Sequence, residues 1–486
     1  MSTMNLTLLT DLYELTMMQG YFKNNCNETV VFDMFYRSNP CGNGYAICAG
    51  LDQLIDYIKR LEFSDEDIAY LDSLHLFEDD FLEYLRGFHF SGDIYAIPEG
   101  TVIFPREPLV KVVAPIMEAQ LVETALLTII NHQSLIATKT ARVVYAADGG
   151  GVMEFGLRRA QGPDAGVYGA RAAMIAGCIG TSNVLAGQLF DVPVKGTHAH
   201  SWIMSFPDEY TAFKKYSELY PDACCLLVDT YDTLKSGVPN AIRVFTEMRE
   251  AGIELKNYGI RLDSGDLAYL TKRARQMLDE AGFSDAFISA SSDLDEYLIT
   301  SLKSQGCCID SWGVGTNMIT SKDCPAFGGV YKLAAVQDGD GNYIPKIKLS
   351  ENIEKITNPG NKTVFRIYEK ADHKIKADLI CLADEVFDES RDLTIFDPLE
   401  TWKRTKLKAG TYELRELLVP VFRKGECVYT SPSVMELRDI CSKELDTLWE
   451  EHRRLINPSQ MYVDLSDKLY DIKKNLLHQM SMEDEK

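Results

Sequence analysis

The chain is short of positive charge: 50 Lys and Arg stand against 72 Asp and Glu in 486 residues, a formal net charge of -22 at pH 7. Such a surface repels nucleic acid and anionic membrane at long range. Any anionic substrate must therefore be gripped by a local cluster of cations. Long hydrophobic runs are missing too, and none approaches the ~20 residues of a membrane span. The start, MSTMNLTLLTDLYELTMMQGYF, has no basic leader, carries Asp11 and Glu14 inside its apolar pattern and offers no small-residue cleavage site, so it does not read as a secretory signal. A cytoplasmic location is expected. Cysteine is dilute, with 12 residues, no CxxC and two adjacent pairs, Cys224 with Cys225 and Cys307 with Cys308, in apolar runs. These read as small core residues in a reducing compartment, not as a disulfide frame or zinc site.

What is present is ordinary globular material, 46% hydrophobic and 25% charged, long enough for two to four folded units. Leu8, Leu9, Leu12, Leu15 and Met18 recur at helical spacing, Val30 to Tyr36 reads as a strand, and Asp52 to Leu85 reads as helical with Ser64 and Asp67 as a capping box. Val102 to Val113, broken by Pro105 and Pro108, reads as extended and edge-like. From about residue 120 the texture changes. Short apolar runs (151–155, 193–196, 225–228, 258–262, 286–290 and 310–314) end in polar or glycine residues and precede helices with ordinary caps, among them Asp266 and a Ser292/Asp295 box. Strand starts recur at βαβ spacing, which predicts an α/β fold with a parallel sheet or (β/α) barrel. Beyond about residue 340, turn-rich segments around Ile344 to Leu349 and Val364 to Tyr368 predict a smaller β-rich unit, followed by a surface helix within Glu436 to Leu455.

In parallel α/β folds ligands bind where strands end, so the residues just after each run carry the chemistry. That rim holds Arg158, Arg159, Thr197, His198, His200, Asp229, Thr230, Arg261, Asp263, Ser264, Asp266, Ser291, Gly313, Gly315 and Thr316. Gly313-Val314-Gly315-Thr316 exposes backbone amides before a helix, a cradle suited to a ribose phosphate, although such a turn also simply joins strand to helix. Arg158 and Arg159 read either as surface ion pairs or as a pyrophosphate clamp, since guanidinium matches phosphate oxygens bidentately. Arg261 lies inside an apolar run and so requires a ligand or a carboxylate such as Asp263. Asp263 is the better candidate for orienting a ribose diol or hydrated Mg²⁺, whereas Asp266 reads equally well as a helix N-cap. His198 and His200 make a poor metal site, but a neutral imidazole attacks phosphoryl groups competently.

Taken together and in order, LTDLYELTM (9–17), FGLRRAQGPD (155–164), TSNV (181–184), GTHAHS (196–201), RLDSGDL (261–267) and GVGT (313–316) resemble the nicotinate phosphoribosyltransferase family. The resemblance implies an incomplete central α/β barrel at 121–340, an N-terminal α/β domain at 1–120 and a smaller C-terminal domain at 341–486, partly β-rich and ending in helices. It implies a homodimer with a shared active site that joins nicotinate to 5-phosphoribosyl 1-pyrophosphate in NAD biosynthesis, with ATP as co-substrate and Mg²⁺ as cofactor. It further implies a phosphohistidine at His200, while the reading of the residues themselves adds Asp263 as a second catalytic group and Mg²⁺ ligand. Tyr13, Thr197 and Arg261 would hold nicotinate, and Arg158, Arg159, Ser264, Gly313, Gly315 and Thr316 the phosphoribosyl and phosphate groups.

Three other readings compete: the related nicotinamide-using enzyme, a barrel lyase or hydrolase pairing Asp263 with Asp266, and a non-catalytic nucleotide-binding protein. The rim supplies every part the transferase needs.

Overall fold

In the computed structural model, residues 5–350, 355–397, 400 and 402–483 are described. They divide into two units, residues 136–325 and residues 1–135 with 326–486.

In the 136–325 unit six strands form one sheet: β1 Gly151–Glu154, β2 Gly180–Thr181, β3 Cys224–Leu227, β4 Tyr258–Leu262, β5 Phe287–Ala290 and β6 Ser311–Val314. Their order is β2-β1-β6-β5-β4-β3, and every pairing is parallel. No ladder joins β2 to β3 among the described residues, so the sheet is an incomplete α/β barrel, as the sequence reading anticipated. The strands exist because their side chains are apolar enough to be covered on both faces. Leu226, Ile260, Leu262, Ile288 and Val314 are all fully buried, each burial contributing about 1.5–3 kcal/mol. The run 193–196 is the exception, reduced to one bridge between Val194 and Thr181. Lys195 and Gly196 are exposed there, so the segment has no apolar face to bury.

Carboxylate and amide caps set where the helices begin, and hence where each strand-to-helix loop ends. Asn183 accepts from the Ala186 amide, Asp208 from Thr211 and Asp266 from Tyr269. The expected Ser292/Asp295 box does not form. Asp295 alone caps the helix Glu296–Ser304, accepting from Tyr297 and Leu298 amides, while Ser292 sits in the loop before it at a φ of 131°. A buried ion triad pins this helix. Lys139 Nζ and Arg142 Nε each approach the Glu296 carboxylate at 2.7 Å, with all three side chains at most 2% exposed.

The other unit carries a seven-stranded sheet in the order 343–345, 329–337, 29–36, 110–115, 93–96, 419–423, 426–427. Strand Val110–Pro115 lies between two partners, so the edge-like expectation for 102–113 is corrected. The physical reason is that Pro105 and Pro108 fall before the strand and Pro115 at its last residue, so no ladder donor is lost from its middle. The helical stretch 52–85 is three helices, Leu51–Lys59, Asp65–Ser73 and Asp79–Arg86, and the Ser64/Asp67 capping box is present. A six-stranded sheet (404–407, 393–396, 463–465, 375–382, 362–369, 412–416) and the helices Val434–Asp446, Glu450–Arg453 and Asp467–Glu483 complete this unit. All 12 cysteines are free. Among the described residues no helix is long and apolar enough to cross a membrane.

Candidate active site

Arg261 occupies the fourth position of β4, the one residue of that strand not fully buried. Its guanidinium is used on all sides. Nε donates to Ser291 Oγ at 2.8 Å, Nη1 to Thr197 Oγ1 at 2.9 Å and Nη2 to Asp263 Oδ1 at 3.2 Å. The ring of Phe155 lies below, 5.7 Å from the guanidinium carbon, a distance at which its π face attracts the cation. Ser291 in turn donates to the same Asp263 oxygen. A planar five-donor group held by neighbours on adjacent strands loses little entropy when it meets a planar carboxylate. The anticipated ion pair to Asp263 is thus real, and it is part of a larger constellation.

His200 opens the short helix His200–Met204. Its Nδ1 is hydrogen-bonded to Thr230 Oγ1 at 3.0 Å, and its Nε2 stands 3.8 Å from Asp263 Oδ2. Asp263 therefore faces the guanidinium with one oxygen and the imidazole with the other. Behind it, Asp229 Oδ2 accepts from the Asp263 amide and from Ser264 Oγ, both at 2.7 Å, and Asp229 Oδ1 is buried without a hydrogen-bond partner. His198 does something different. It is 9% exposed, its Nε2 accepts from the Leu227 amide at 3.3 Å, and Tyr216 packs edge-on 4.6 Å away. Burial pushes its imidazole down to about 4, so it is a neutral structural ring.

The next part of the rim is built on Glu154, the last residue of β1. Its side chain is fully buried, accepts from the Gly156 amide and takes Thr181 Oγ1 at 2.6 Å. Burial raises its carboxyl above the ordinary range. Glu154 thereby fixes the turn Leu157–Arg159, on which Arg158 and Arg159 are exposed and make no ion pair among the described residues. Glycines let this turn and β6 approach. A Cβ on Gly313 would lie 2.6 Å from the Phe155 ring and 3.3 Å from Ser291 Cβ, and one on Gly315 would lie 3.2 Å from the Phe155 carbonyl. Thr316 starts the helix that follows. Tyr13 belongs to the other unit, on the first turn of the helix Leu12–Lys23, where it is 46% exposed beside exposed Leu9, Leu12 and Met17. Burial, then Glu123 and Glu14, raise its phenol.

Of the residues singled out from the sequence, Thr197, Arg261, Asp263 and Ser264 thus meet in one hydrogen-bonded network, His200 stands 3.8 Å from Asp263 at its edge, and Gly313 touches it through Phe155 and Ser291. Asp266 is occupied as the helix cap, its carboxylate accepting from the Tyr269 amide at 3.0 Å. Asp229, Thr230 and Ser291 lie on the predicted rim, and their partners there are the Asp263 amide, His200 and Arg261. Glu154 was passed over, although a carboxylate closing an apolar strand was the available signal.

Comparison with known proteins gives the family of the chain. Three family models match: the nicotinate phosphoribosyltransferase N-terminal domain over 8–131, the nicotinate phosphoribosyltransferase family over 151–324, and the C-terminal domain over 361–473. The nicotinate phosphoribosyltransferase of Bacillus subtilis is 47% identical over 98% of this chain and 96% of its own, and that of Homo sapiens 33% identical over 96% of each. A crystal structure of human nicotinic acid phosphoribosyltransferase superposes with a TM-score of 0.83 at 30% identity, covering 97% of this chain and 100% of that one. A nicotinate-nucleotide pyrophosphorylase from Pyrococcus furiosus shares the fold, with a TM-score of 0.69 at 22% identity over 91% and 96% of the two chains. With near-complete coverage at such identity, the chain belongs to the nicotinate phosphoribosyltransferase family of enzymes.

Proposed function

We propose that this enzyme transfers the 5-phosphoribosyl group from 5-phosphoribosyl 1-pyrophosphate to nicotinate in NAD synthesis, coupled to ATP hydrolysis through a phosphate carried on His200. The observation that bears most weight is the single network joining Thr197, Arg261, Ser291, Asp263 and His200. Nicotinate is a flat anion, and a guanidinium already forked and flanked by Phe155 suits its carboxylate. Its pyridine nitrogen has a free lone pair, so no general base is required. As pyrophosphate leaves, C1 of the sugar becomes oxocarbenium-like. Catalysis then consists of positioning and of stabilising the departing charge, the work assigned to Arg158, Arg159, Ser264 and the amides of Gly313 to Thr316.

Among the described residues no group of three or more His, Cys, Asp or Glu is placed to hold a metal. Mg²⁺ suits such a site because it is commonly held by one or two carboxylates together with substrate phosphates. Asp263 is the proposed protein ligand, with the unpartnered Asp229 Oδ1 as a second oxygen. The ion would neutralise pyrophosphate charge. A phosphoryl group on His200 adds about -2 charge next to Asp263, which favours rearrangement toward the loop arginines. We place the reaction in the cytoplasm and in a homodimer, in which the exposed row Leu9, Leu12, Tyr13 and Met17 presents Tyr13 to the nicotinate of a second copy.

The test is incubation with nicotinate, 5-phosphoribosyl 1-pyrophosphate, Mg²⁺ and ATP, with nicotinate mononucleotide and ADP both measured. Product with stoichiometric ADP supports the reading; product formed with no ATP consumption removes the phosphohistidine from it. Nicotinamide in place of nicotinate serves as the control for ring recognition, since it offers Arg261 no charge. The lyase or hydrolase alternative loses ground because Asp266 caps its helix.

A further inference from the structure

The unit built from residues 1–135 and 326–486 contains a cavity of about 190 Å³ whose polar lining includes Asp33, Arg106, Lys362, Lys473 and Lys474. None of these belongs to the barrel rim. Among the described lining residues Asp33 supplies the only carboxylate, and one of its oxygens already faces a cation: Lys362 Nζ lies 2.7 Å from Asp33 Oδ2, with side chains 3% and 5% exposed. Lys473 Nζ donates to the neutral Asn358 Oδ1 at 2.8 Å. Arg106 and Lys474 make no side-chain hydrogen bond or ion pair among the described residues. Arg106 is held in place by its backbone, whose φ of 77° is a strained value for a residue with a Cβ, and its amide donates to the Tyr36 carbonyl. Among the described residues three cations therefore line one cavity without a paired carboxylate. That is costly in a partly buried cavity unless an anion is meant to arrive. Burial, together with Arg106 and Lys362, pushes Lys473 down to about 8.

The remaining wall is apolar, with Phe35, Pro108, Leu465 and Tyr470 prominent. At ~10–15 Å³ of such space per water-sized group, the cavity has room for roughly a dozen non-hydrogen atoms. We propose that it binds a small organic monophosphate, the dianionic head on Arg106, Lys473 and Lys474 and the apolar body against Phe35, Leu465 and Tyr470. Guanidinium and ammonium donors together satisfy phosphate oxygens, and an anion at this point restores charge balance around Lys473.

Phenyl phosphate is the probe, titrated calorimetrically into the full chain with inorganic phosphate as the comparison. Expected are one site that survives Arg158→Ala/Arg159→Ala in the barrel, binds phenyl phosphate several-fold tighter than phosphate, and weakens at least tenfold in Lys473→Met/Lys474→Met. Lys474→Gln alone, an exposed change that leaves the fold intact, weakens it several-fold, and Lys473→Arg retains it. Binding near pH 8 takes up a proton, because the anion raises Lys473; titrations in buffers of different ionisation enthalpy read this, and Lys473→Met abolishes it. The ionisable groups lining the cavity with Lys473 are, among the described residues, Asp33, Arg106, Lys362, Tyr470 and Lys474. Binding lost in Arg158→Ala/Arg159→Ala, or unchanged in Lys474→Gln and in the Lys473→Met/Lys474→Met variant, overturns the proposal. So does binding without proton uptake.

Discussion

Arg261 on β4 reaches Thr197 with an Nη1 to Oγ1 distance of 2.9 Å, although 64 residues of chain separate them. The hydroxyl holds one arm of the guanidinium while Asp263 holds another, so the fork is set before any ligand arrives. Arg261→Lys keeps the charge and loses the fork. With about 1.5–3 kcal/mol per hydrogen bond to a charged group, kcat/KM for nicotinate should fall about tenfold to a hundredfold. Steady-state kinetics with varied nicotinate checks this, and the thermal midpoint should move little.

His200→Ala should separate two activities. ATP hydrolysis and ATP-stimulated turnover are lost, while slow synthesis without ATP persists, because Arg261, Thr197 and the phosphate cradle are untouched. Parallel assays of ADP and nicotinate mononucleotide check it, and an equal loss of both activities counts against a phosphorylated His200.

Gly313→Ala places a methyl within 2.6 Å of the Phe155 ring that lies under Arg261. Overpacking of this kind costs about 1–3 kcal/mol. The ring must tilt and carry Arg261 with it, so KM for nicotinate should rise at least several-fold. Gly315→Ala, whose nearest obstacle is 3.2 Å away, should do less. Comparing the two KM values is the measurement.

Glu14 gives a pH signature. It is buried, accepts from Thr10 and Thr124, and is raised by burial from 4.5 to about 7, with Glu123 and Asp11 adding to the rise. Folded chains hold this proton across a window where unfolded chains release it, so the contribution of Glu14 to stability falls as pH rises from about 4.5 to about 7. Glu14→Gln removes that slope. Melting midpoints of both proteins between pH 4.5 and 8 should show the variant gaining on the parent through the window and levelling off above it.

Five of the six barrel strands were legible because each is a short apolar run closed by polar residues, with Arg261 standing out as a charge inside one of them; the two-residue strand Gly180–Thr181 was too short to give that signal. The caps at Ser64 and Asp266 were legible for the same local reason. The sharing of Asp263 between Arg261, Ser291 and His200 was not, since it depends on which strands become neighbours. Glu154 was missed because its partners, the Gly156 amide and Thr181, reveal themselves only when β1 and β2 pair. The placement of Val110–Pro115 inside a sheet failed for a related reason: one of its neighbours, Thr29–Tyr36, is far away in sequence, and prolines nearby imitate an edge.

The seven-stranded sheet has a bearing on synthesis. Strand Thr29–Tyr36 pairs along one side with Gly329–Gln337, Val30 opposite Val336, so the entire 136–325 unit is made before that partner leaves the ribosome. Contacts of such span close slowly, and domains tend to fold as they emerge. The barrel can thus mature while the earlier strand still shows a bare hydrogen-bonding edge, which makes the nascent N-terminal segment the place where chaperones have most to shield.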